Sequence, residues 1–182
     1  MTAKSNRAAF AKLQDYARRS ESFKPGKGTS GDNSEEWSGV TFRLGDARLA
    51  CNIERVQEIL HVPAPTPVPG AKPWILGLAN VRGSLMTVID LSWFLTGNRS
   101  DLTARSRLLA TGSQKAPLGL LIDDVVGQRH FLTPDATESS LEEDSPLKSL
   151  VHKQYTVGTE SWHELDLDSL FNMTEFLDGS AA

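Results

Sequence analysis

The sequence predicts a mainly β protein built from small barrels, with few and short helices. Short apolar segments alternate with Gly, Pro, Asn and Asp turn signals at close intervals, which is typical of barrels assembled from hairpins. A strand–turn–strand layout occurs twice, which predicts two similar barrels in tandem. Hydrophobic residues make up 39% of the 182 residues, enough for a globular core of that size.

The first 36 residues differ from the rest in composition. Residues 7–19 are predicted to form a short helix, because Phe10, Leu13 and Ala17 recur at helical spacing. Residues 20–36 are rich in Ser, Gly and Pro, which indicates a flexible linker. The predicted organisation has three parts: the helix and linker at 1–36, a folded domain at 37–178 and a tail at 179–182.

The first half of the domain is predicted to consist of strands joined by turns and one long loop. Residues 40–44 and 48–53 are strands around a Gly-Asp hairpin turn at 45–46. The four prolines of residues 61–70 predict an extended surface loop, since proline lacks the backbone donor that helices and central strands need. The other elements are a short helical or irregular turn at 54–60 and strand-like segments at 74–80 and 84–95.

The second half repeats this arrangement of hairpins and ends in a helix. Residues 107–111 and 118–122 follow a polar connection at 97–105 and are predicted to form another hairpin. The remaining predicted elements are a strand at 127–132, an acidic loop at 133–145, a hairpin at 152–167 and a closing helix at 166–177.

Two pairs of matching segments indicate an internal duplication. The corner Ile53-Glu54-Arg55-Val56 follows the first hairpin as Ile122-Asp123-Asp124-Val125 follows the second. The segments VIDLSWFL and ELDLDSLF each place an aspartate, Asp90 or Asp166, before a predicted helix, where its side chain can cap the first turn. Short apolar hairpins also produce such matches by chance, so duplication and coincidence are both open at this stage.

Charge and composition restrict the class of function. The net charge of −4 divides into +2 for residues 1–36 and −6 for residues 37–182, which argues against a nucleic-acid binder, because such proteins need a basic face. Cys51 has no second cysteine to pair with, and the first residues lack the apolar core of a signal peptide, so we expect a reducing cytoplasm. No apolar run approaches the roughly 20 residues of a membrane span.

The sequence shows no pattern of catalytic or metal-binding residues. The segment GKGTSG (26–31) matches a dinucleotide fingerprint by letters, but it follows no strand and lies in the predicted linker. The four histidines lack metal-ligand spacing, and they are His61, His130, His152 and His163. Cys51 lies in a predicted strand and is most simply a small core residue. We therefore expect no catalytic residue, metal or cofactor, and a protein that is not an enzyme.

Arg82 is the least expected residue of a very hydrophobic segment, GLANVRGSLMTVIDL (77–91). Gly83 permits backbone conformations that other residues resist, and Asn80 can bond a turning main chain. The guanidinium can then point inward at backbone carbonyls or outward at a partner carboxylate. From the residues alone the structural role is the commoner one, since loop arginines mostly satisfy local backbone groups.

Three blocks of the chain resemble the CheW family of chemotaxis adaptors. They are FRLGDARLACNIERVQEIL, TPVPGAKPWILGLANVRGSLMTVIDL and GLLIDDVVG, and they match the family's TPVPGAP loop, INLRG corner, PVIDL strand and GLLVDxV strand in order. The resemblance extends over residues 40–171. Trp37, Trp74 and the N-terminal extension make the chain most similar to the PilI-type scaffolds of type IV pilus (twitching) chemosensory systems.

This resemblance implies two five-stranded SH3-like barrels packed around a shared hydrophobic core, which agrees with the duplication. It implies a non-catalytic scaffold that couples the regulatory domain of a CheA-like histidine kinase to the cytoplasmic tip of a methyl-accepting chemoreceptor. The scaffold would be cytoplasmic, recruited to membrane-bound receptor complexes without inserting into the membrane itself. No nucleic acid and no cofactor is expected.

Carried over by position, the resemblance implies partner contacts for Val56, Glu58 and Arg82, without assigning each to one partner. Each has a structural alternative, which is barrel core for the valine, a solvated carboxylate for the glutamate and corner support for the arginine. The resemblance also implies that the corner is shaped by three residues, Gly77, Asn80 and Gly83. Met86 and Thr87 depart from the family's Ile-Pro before VIDL, and LACNI departs from the usual first-barrel pattern, so contacts there are expected to differ.

Two other classes of function are kept as alternatives. A small β-barrel that binds nucleic acid would give a salt-dependent gel shift, although the acidic body opposes it. An uncharacterised hydrolase built from scattered histidines and acids would show turnover that is lost on His163→Ala.

Overall fold

The structure, a computed structural model, describes residues 36–113 and 116–179, and the predicted helix at 7–19 lies outside these ranges. The described chain is mainly β, as predicted, and forms two mixed sheets that we call barrel A and barrel B. Barrel A contains β1 (Glu36–Leu44), β2 (Ala47–Asn52), β8 (Asp124–Leu132), β9 (Ala136–Glu138), β10 (Val151–Val157) and β11 (Glu160–Leu165). Barrel B contains β3 (Glu58–His61), β4 (Ile75–Val81), β5 (Ser84–Asp90), β6 (Arg107–Ser113) and β7 (Ala116–Ile122).

The order of strands in the two sheets confirms the internal duplication. Barrel A has the order β8-β1-β2-β11-β10-β9, and barrel B has the order β3-β6-β7-β5-β4. In both, the second strand of one hairpin (β1–β2 or β6–β7) pairs in parallel with the second strand of another hairpin (β10–β11 or β4–β5), at β2–β11 and at β7–β5. The strand after each of these two hairpins joins the other barrel. Strand β3 follows β1–β2 but pairs with β6, and β8 follows β6–β7 but pairs with β1. The two halves are therefore intertwined.

Two strands correct the sequence prediction. Residues 54–60 were expected to form a helical or irregular turn, but the turn is a 3₁₀ turn at Ile53–Arg55 and β3 follows it. The Gln57 N–H donates to the Ala110 carbonyl at 2.8 Å, so β6 recruits this segment into barrel B. Barrel A has six strands instead of five, because β9 lies within the predicted acidic loop and pairs with β10.

Three short helices complete the part of the fold that the structure describes. Helix α1 (Leu91–Thr96) follows β5, and Asp90 caps it by accepting a hydrogen bond from the Trp93 N–H at 3.1 Å. Helix α2 (Leu167–Asn172) follows β11, and Asp166 caps it. Both caps confirm the sequence prediction.

The prediction of one closing helix at 166–177 is wrong, because this segment forms two short helices. Extended backbone at Met173 (φ −66°, ψ 127°) ends α2 and caps the next helix, α3 (Thr174–Leu177).

The core has one shared part and one part inside each barrel. The shared core lies between the sheets and includes Phe42, Leu49 and Leu109, all fully buried. The interior of barrel A is aromatic, with Phe131, Tyr155 and Trp162 around Ala50. The interior of barrel B is built from smaller side chains: Ala79, Met86, Val88, Leu108, Ala110 and Leu121.

Candidate partner-binding surface

The turn between β4 and β5 places Arg82 at the tip of a hairpin. Val81 pairs with Ser84, so Arg82 and Gly83 form a two-residue loop. Both have positive φ, 51° for Arg82 and 86° for Gly83, which is the pattern of a type I′ turn. The Asn80 Oδ1 accepts a hydrogen bond from the Gly83 N–H at 2.9 Å. Asn80 and Gly83 therefore shape this turn.

Arg82 occupies a backbone conformation that its side chain disfavours. Among the residues described by the structure, it is the only non-glycine with a positive φ. Type I′ turns prefer Asn or Gly at this position, and an ordinary L-residue loses about 1 kcal/mol there. Strained positions of this kind persist most often where the side chain has a function.

The Arg82 side chain points outward and joins Glu58. Its Nη2 lies 2.6 Å from Oε1 of Glu58, and the two side chains are 76% and 33% exposed. The guanidinium therefore does not satisfy buried backbone carbonyls, which was the structural alternative. The structure brings two of the three expected contact residues together on one surface, across the gap between β3 and the β4–β5 turn.

Val56 has a position different from that of Glu58 and Arg82. It is half-buried and packs against the shared core, and its N–H donates to the Ile53 carbonyl at 3.0 Å. The chain next to it is anchored to β6, since the Thr111 hydroxyl donates to the Arg55 carbonyl at 2.8 Å. Val56 thus helps to place β3, and hence Glu58.

Gly77 shapes the loop beside the hairpin. Its φ is +137°, and a Cβ atom there would lie 2.1 Å from the Thr66 carbonyl oxygen. Thr66 and Leu78 exchange two backbone hydrogen bonds, at 2.8 and 2.9 Å. Only glycine therefore lets the proline-rich loop lie against β4.

A concavity of about 440 Å³ opens beside the Glu58–Arg82 pair, at the mouth of barrel B. Its floor is formed by Leu60, Val81, Met86 and Ala110, and its rim also includes Gln57, Ser84 and Pro117. Sequence reasoning did not single out these residues. The only signal for the concavity in the sequence is Met86, which stands where the family pattern has another residue.

Other chemical groups lie away from this surface. Burial raises the pKa of the Cys51 thiol to about 12, so no thiolate is available near neutral pH. Burial lowers the pKa of His163, whose Nδ1 lies 3.2 Å from the Ser139 hydroxyl. Within residues 36–113 and 116–179, no group of three or more His, Cys, Asp or Glu side chains is arranged to hold a metal ion. In the same ranges, no helix is long and apolar enough to cross a membrane.

The family of CheW-like domains matches residues 38–175. The chain belongs to the CheW-like family. It is a CheW-like adaptor of chemosensory signalling, and its two intertwined barrels are the architecture expected from that resemblance.

Several named proteins are similar to this CheW-like chain. Protein PilI of Pseudomonas aeruginosa is 32% identical over 143 residues, which cover 79% of this chain and 80% of the relative. A probable chemotaxis protein CheW of Rhizobium etli is 28% identical over 141 residues, covering 75% and 88%. Protein FrzA of Myxococcus xanthus is 34% identical over 112 residues, covering 60% and 69%.

A solved structure has the same fold. The scaffolding protein TtCheW from Thermoanaerobacter tengcongensis superposes with a TM-score of 0.66, covering 76% of this chain and 94% of that one. The two sequences are 19% identical, so the comparison supports the fold alone.

Proposed function

We propose that this protein couples the cytoplasmic tip of a methyl-accepting chemoreceptor to the regulatory domain of a CheA-like histidine kinase. The observation that carries the proposal is the exposed Glu58–Arg82 pair, held on a hairpin whose backbone disfavours arginine. Such a residue persists when its side chain is needed for contact. The protein acts by non-covalent docking, without catalysis or cofactor, in the cytoplasm beside membrane-bound receptors.

The pathway we propose is the chemosensory control of type IV pilus twitching motility. The similarity to Protein PilI supports it, since that match covers about four fifths of both chains. A relative named as a probable chemotaxis protein CheW and Protein FrzA also match, so the pathway needs a test in cells. A deletion strain is expected to lose twitching zones on agar while swimming is retained. Loss of swimming alone would contradict the pilus assignment.

Within the proposed surface, the three residues have different roles. Glu58 and Arg82 contact the partner directly, because both side chains reach solvent on one face. Val56 acts through β3, because it packs against the shared core and sets the position of Glu58. The surface has an apolar floor inside a charged rim, which is the arrangement of a binding centre.

A charge-reversal cycle tests this surface. Glu58→Arg and Arg82→Glu are each expected to weaken binding to the kinase domain or the receptor tip at least ten-fold, measured by calorimetry. The double reversal restores an internal ion pair but inverts its direction. If the partner reads these charges, the double variant stays weak; if the pair only stabilises the barrel, the double variant recovers.

The control variant is Glu143→Arg, which breaks the 3.4 Å pair with Lys148 on a different part of the surface. Its affinity is expected to equal that of the wild type. Full binding by both single variants, with the fold intact by circular dichroism, would contradict the proposal.

A further inference from the structure

The segment that begins with helix α3 is attached to the rest of the described chain by few contacts. Phe176 is the one buried residue of α3, and the residues on either side of it are exposed. Extended backbone at Met173 separates α3 from α2, so α3 does not continue a longer helix. Segments with few buried contacts open at a lower free energy than the rest of a domain. We call residues 174–179 the strap.

The strap runs from the last helix after barrel A to the start of β4 in barrel B. Its Phe176 ring lies edge-on to the Phe94 ring of α1, with the ring centroids 5.1 Å apart. Phe94 in turn lies edge-on to Trp74, at 5.3 Å, and Trp74 directly precedes β4. This line of rings therefore joins three elements that are distant in the sequence.

The end of the strap holds the end of the proline-rich loop. The Gly179 carbonyl accepts a hydrogen bond from the Lys72 N–H at 3.0 Å, and the Lys72 carbonyl accepts one from the Ile75 N–H at 3.0 Å. A Cβ atom on Gly179 would lie 2.7 Å from Cδ1 of Ile75, so the backbone of the strap lies directly against the first residue of β4.

The proline-rich loop depends on such attachments. Four of the ten residues at 61–70 are proline, which has no N–H group to donate. The middle of the loop is held by the two hydrogen bonds between Thr66 and Leu78, and its end is held through Lys72 by Gly179. When the strap leaves, the second attachment is lost, together with the ring that Phe176 places against Phe94.

We propose that the strap is a reversible device that positions the β4–β5 hairpin, and that its undocking weakens partner binding. The inference rests on the proposed function, because Arg82 lies at the far end of β4 from the strap. In the docked state, Phe176 and Gly179 secure the start of β4 and the loop beside it. In the undocked state the hairpin is held at fewer points, so fixing Arg82 on binding costs more conformational entropy.

Amide hydrogen exchange of the full-length protein, followed by NMR, tests whether the strap opens as a unit. The amides of Leu177 and Asp178 and that of Lys72 are expected to have the same protection factor, because all three hydrogen bonds break when the strap opens. That factor should be at least ten-fold lower than the factor of Leu109 in the central strand β6. Equal protection of Lys72 and Leu109 would overturn the inference, since the strap would then open only with the whole domain.

A substitution in the strap tests its effect on binding, with the regulatory domain of a CheA-like kinase as the probe in calorimetry. Phe176→Ala is expected to weaken the affinity about five-fold at a temperature at which circular dichroism shows the variant folded. The matched control on the same helix is Leu177→Ala, whose side chain is 70% exposed and whose affinity should equal that of the wild type.

A second control separates the strap from general stability. Phe131→Leu alters the interior of barrel A, away from the strap, and is expected to lower the melting temperature without changing the affinity. An unchanged affinity in Phe176→Ala, or an equal loss in Phe131→Leu, overturns the positioning role and leaves the proposed function standing. Failure of the wild type to bind the kinase domain overturns the proposed function, and with it the role of the strap in binding.

Discussion

Arg82 combines an unfavourable backbone with an exposed side chain. Its φ of 51° disfavours arginine, and its ion pair with Glu58 is too exposed to contribute much to stability. Neither local backbone preference nor the ion pair therefore explains why this position is arginine. The proposed contact with a partner would account for it, because the extended guanidinium places a cation at the rim of the mouth of barrel B.

Replacing Arg82 by asparagine tests this explanation. Asn suits the first position of a type I′ turn, so Arg82→Asn is expected to gain about 1 kcal/mol in the turn and to lose about 0.3 kcal/mol with the exposed pair. The free energy of unfolding in urea should therefore rise slightly, while partner affinity falls. Glu58→Gln serves as control, since it removes the pair without touching the turn. A fall of more than about 1 kcal/mol in Arg82→Asn would show that the arginine is structural.

At the scale of elements, the two capping aspartates are equivalent in sequence but differ in their surroundings. Asp90 is fully buried and also accepts hydrogen bonds from the Ser100 hydroxyl at 2.7 Å and the Ser100 N–H at 3.0 Å. Asp166 is partly exposed and is satisfied within its own helix, by the N–H groups of Asp168 and Ser169 and by the Ser169 hydroxyl. Burial raises the pKa of Asp166, but these hydrogen bonds outweigh it and the net pKa is lowered.

Alanine substitutions should separate the two caps. Asp90→Ala is expected to lower the free energy of unfolding by about 3 kcal/mol, because it removes a cap and leaves the part-buried donors of Ser100 unsatisfied. Asp166→Ala should cost about 1 kcal/mol, since solvent can reach the freed groups. Urea unfolding of both variants measures the difference. Equal losses would mean that the hydrogen bonds from Ser100 to Asp90, in the connection after α1, do not contribute to the free energy of unfolding.

At the scale of the whole molecule, each barrel depends on the other half of the chain. The edge strand β3 of barrel B directly follows the β1–β2 hairpin of barrel A in the chain. In the same way, the edge strand β8 of barrel A directly follows the β6–β7 hairpin of barrel B. The shared core is built from both halves, with Phe42 and Leu49 from one and Leu109 and Ile122 from the other. Neither half can bury this surface alone.

A split protein tests this dependence. The chain is divided between Leu102 and Thr103, in the polar connection before β6, where the Leu102 side chain is 64% exposed. Residues 1–102 and 103–182 are each expected to lack a cooperative thermal transition when expressed alone. Co-expressed, they should purify together and recover the circular dichroism of the intact chain. A cooperative transition in either half alone would show that the barrels fold independently.

Sequence patterns predicted the elements whose signals are local. The Gly-Asp turn at 45–46 and the two aspartate caps were predicted because a turn or cap depends on residues close in the chain. Strands β3 and β9 were missed because they are short and their pairing depends on β6 and β10, which lie far away in the sequence. The six predicted site residues stay predictions as to function; the structure brings Glu58 and Arg82 together, whereas Val56 packs against the shared core.

The sequence by itself determined the all-β class, the repeated hairpins and the resemblance to CheW adaptors, because these follow from local periodicity, turn residues and ordered motifs. Only the tertiary structure decided that Arg82 meets Glu58, that the halves exchange strands and that a concavity opens beside this pair. Each of these depends on contacts between segments distant in the chain, which local preferences do not encode.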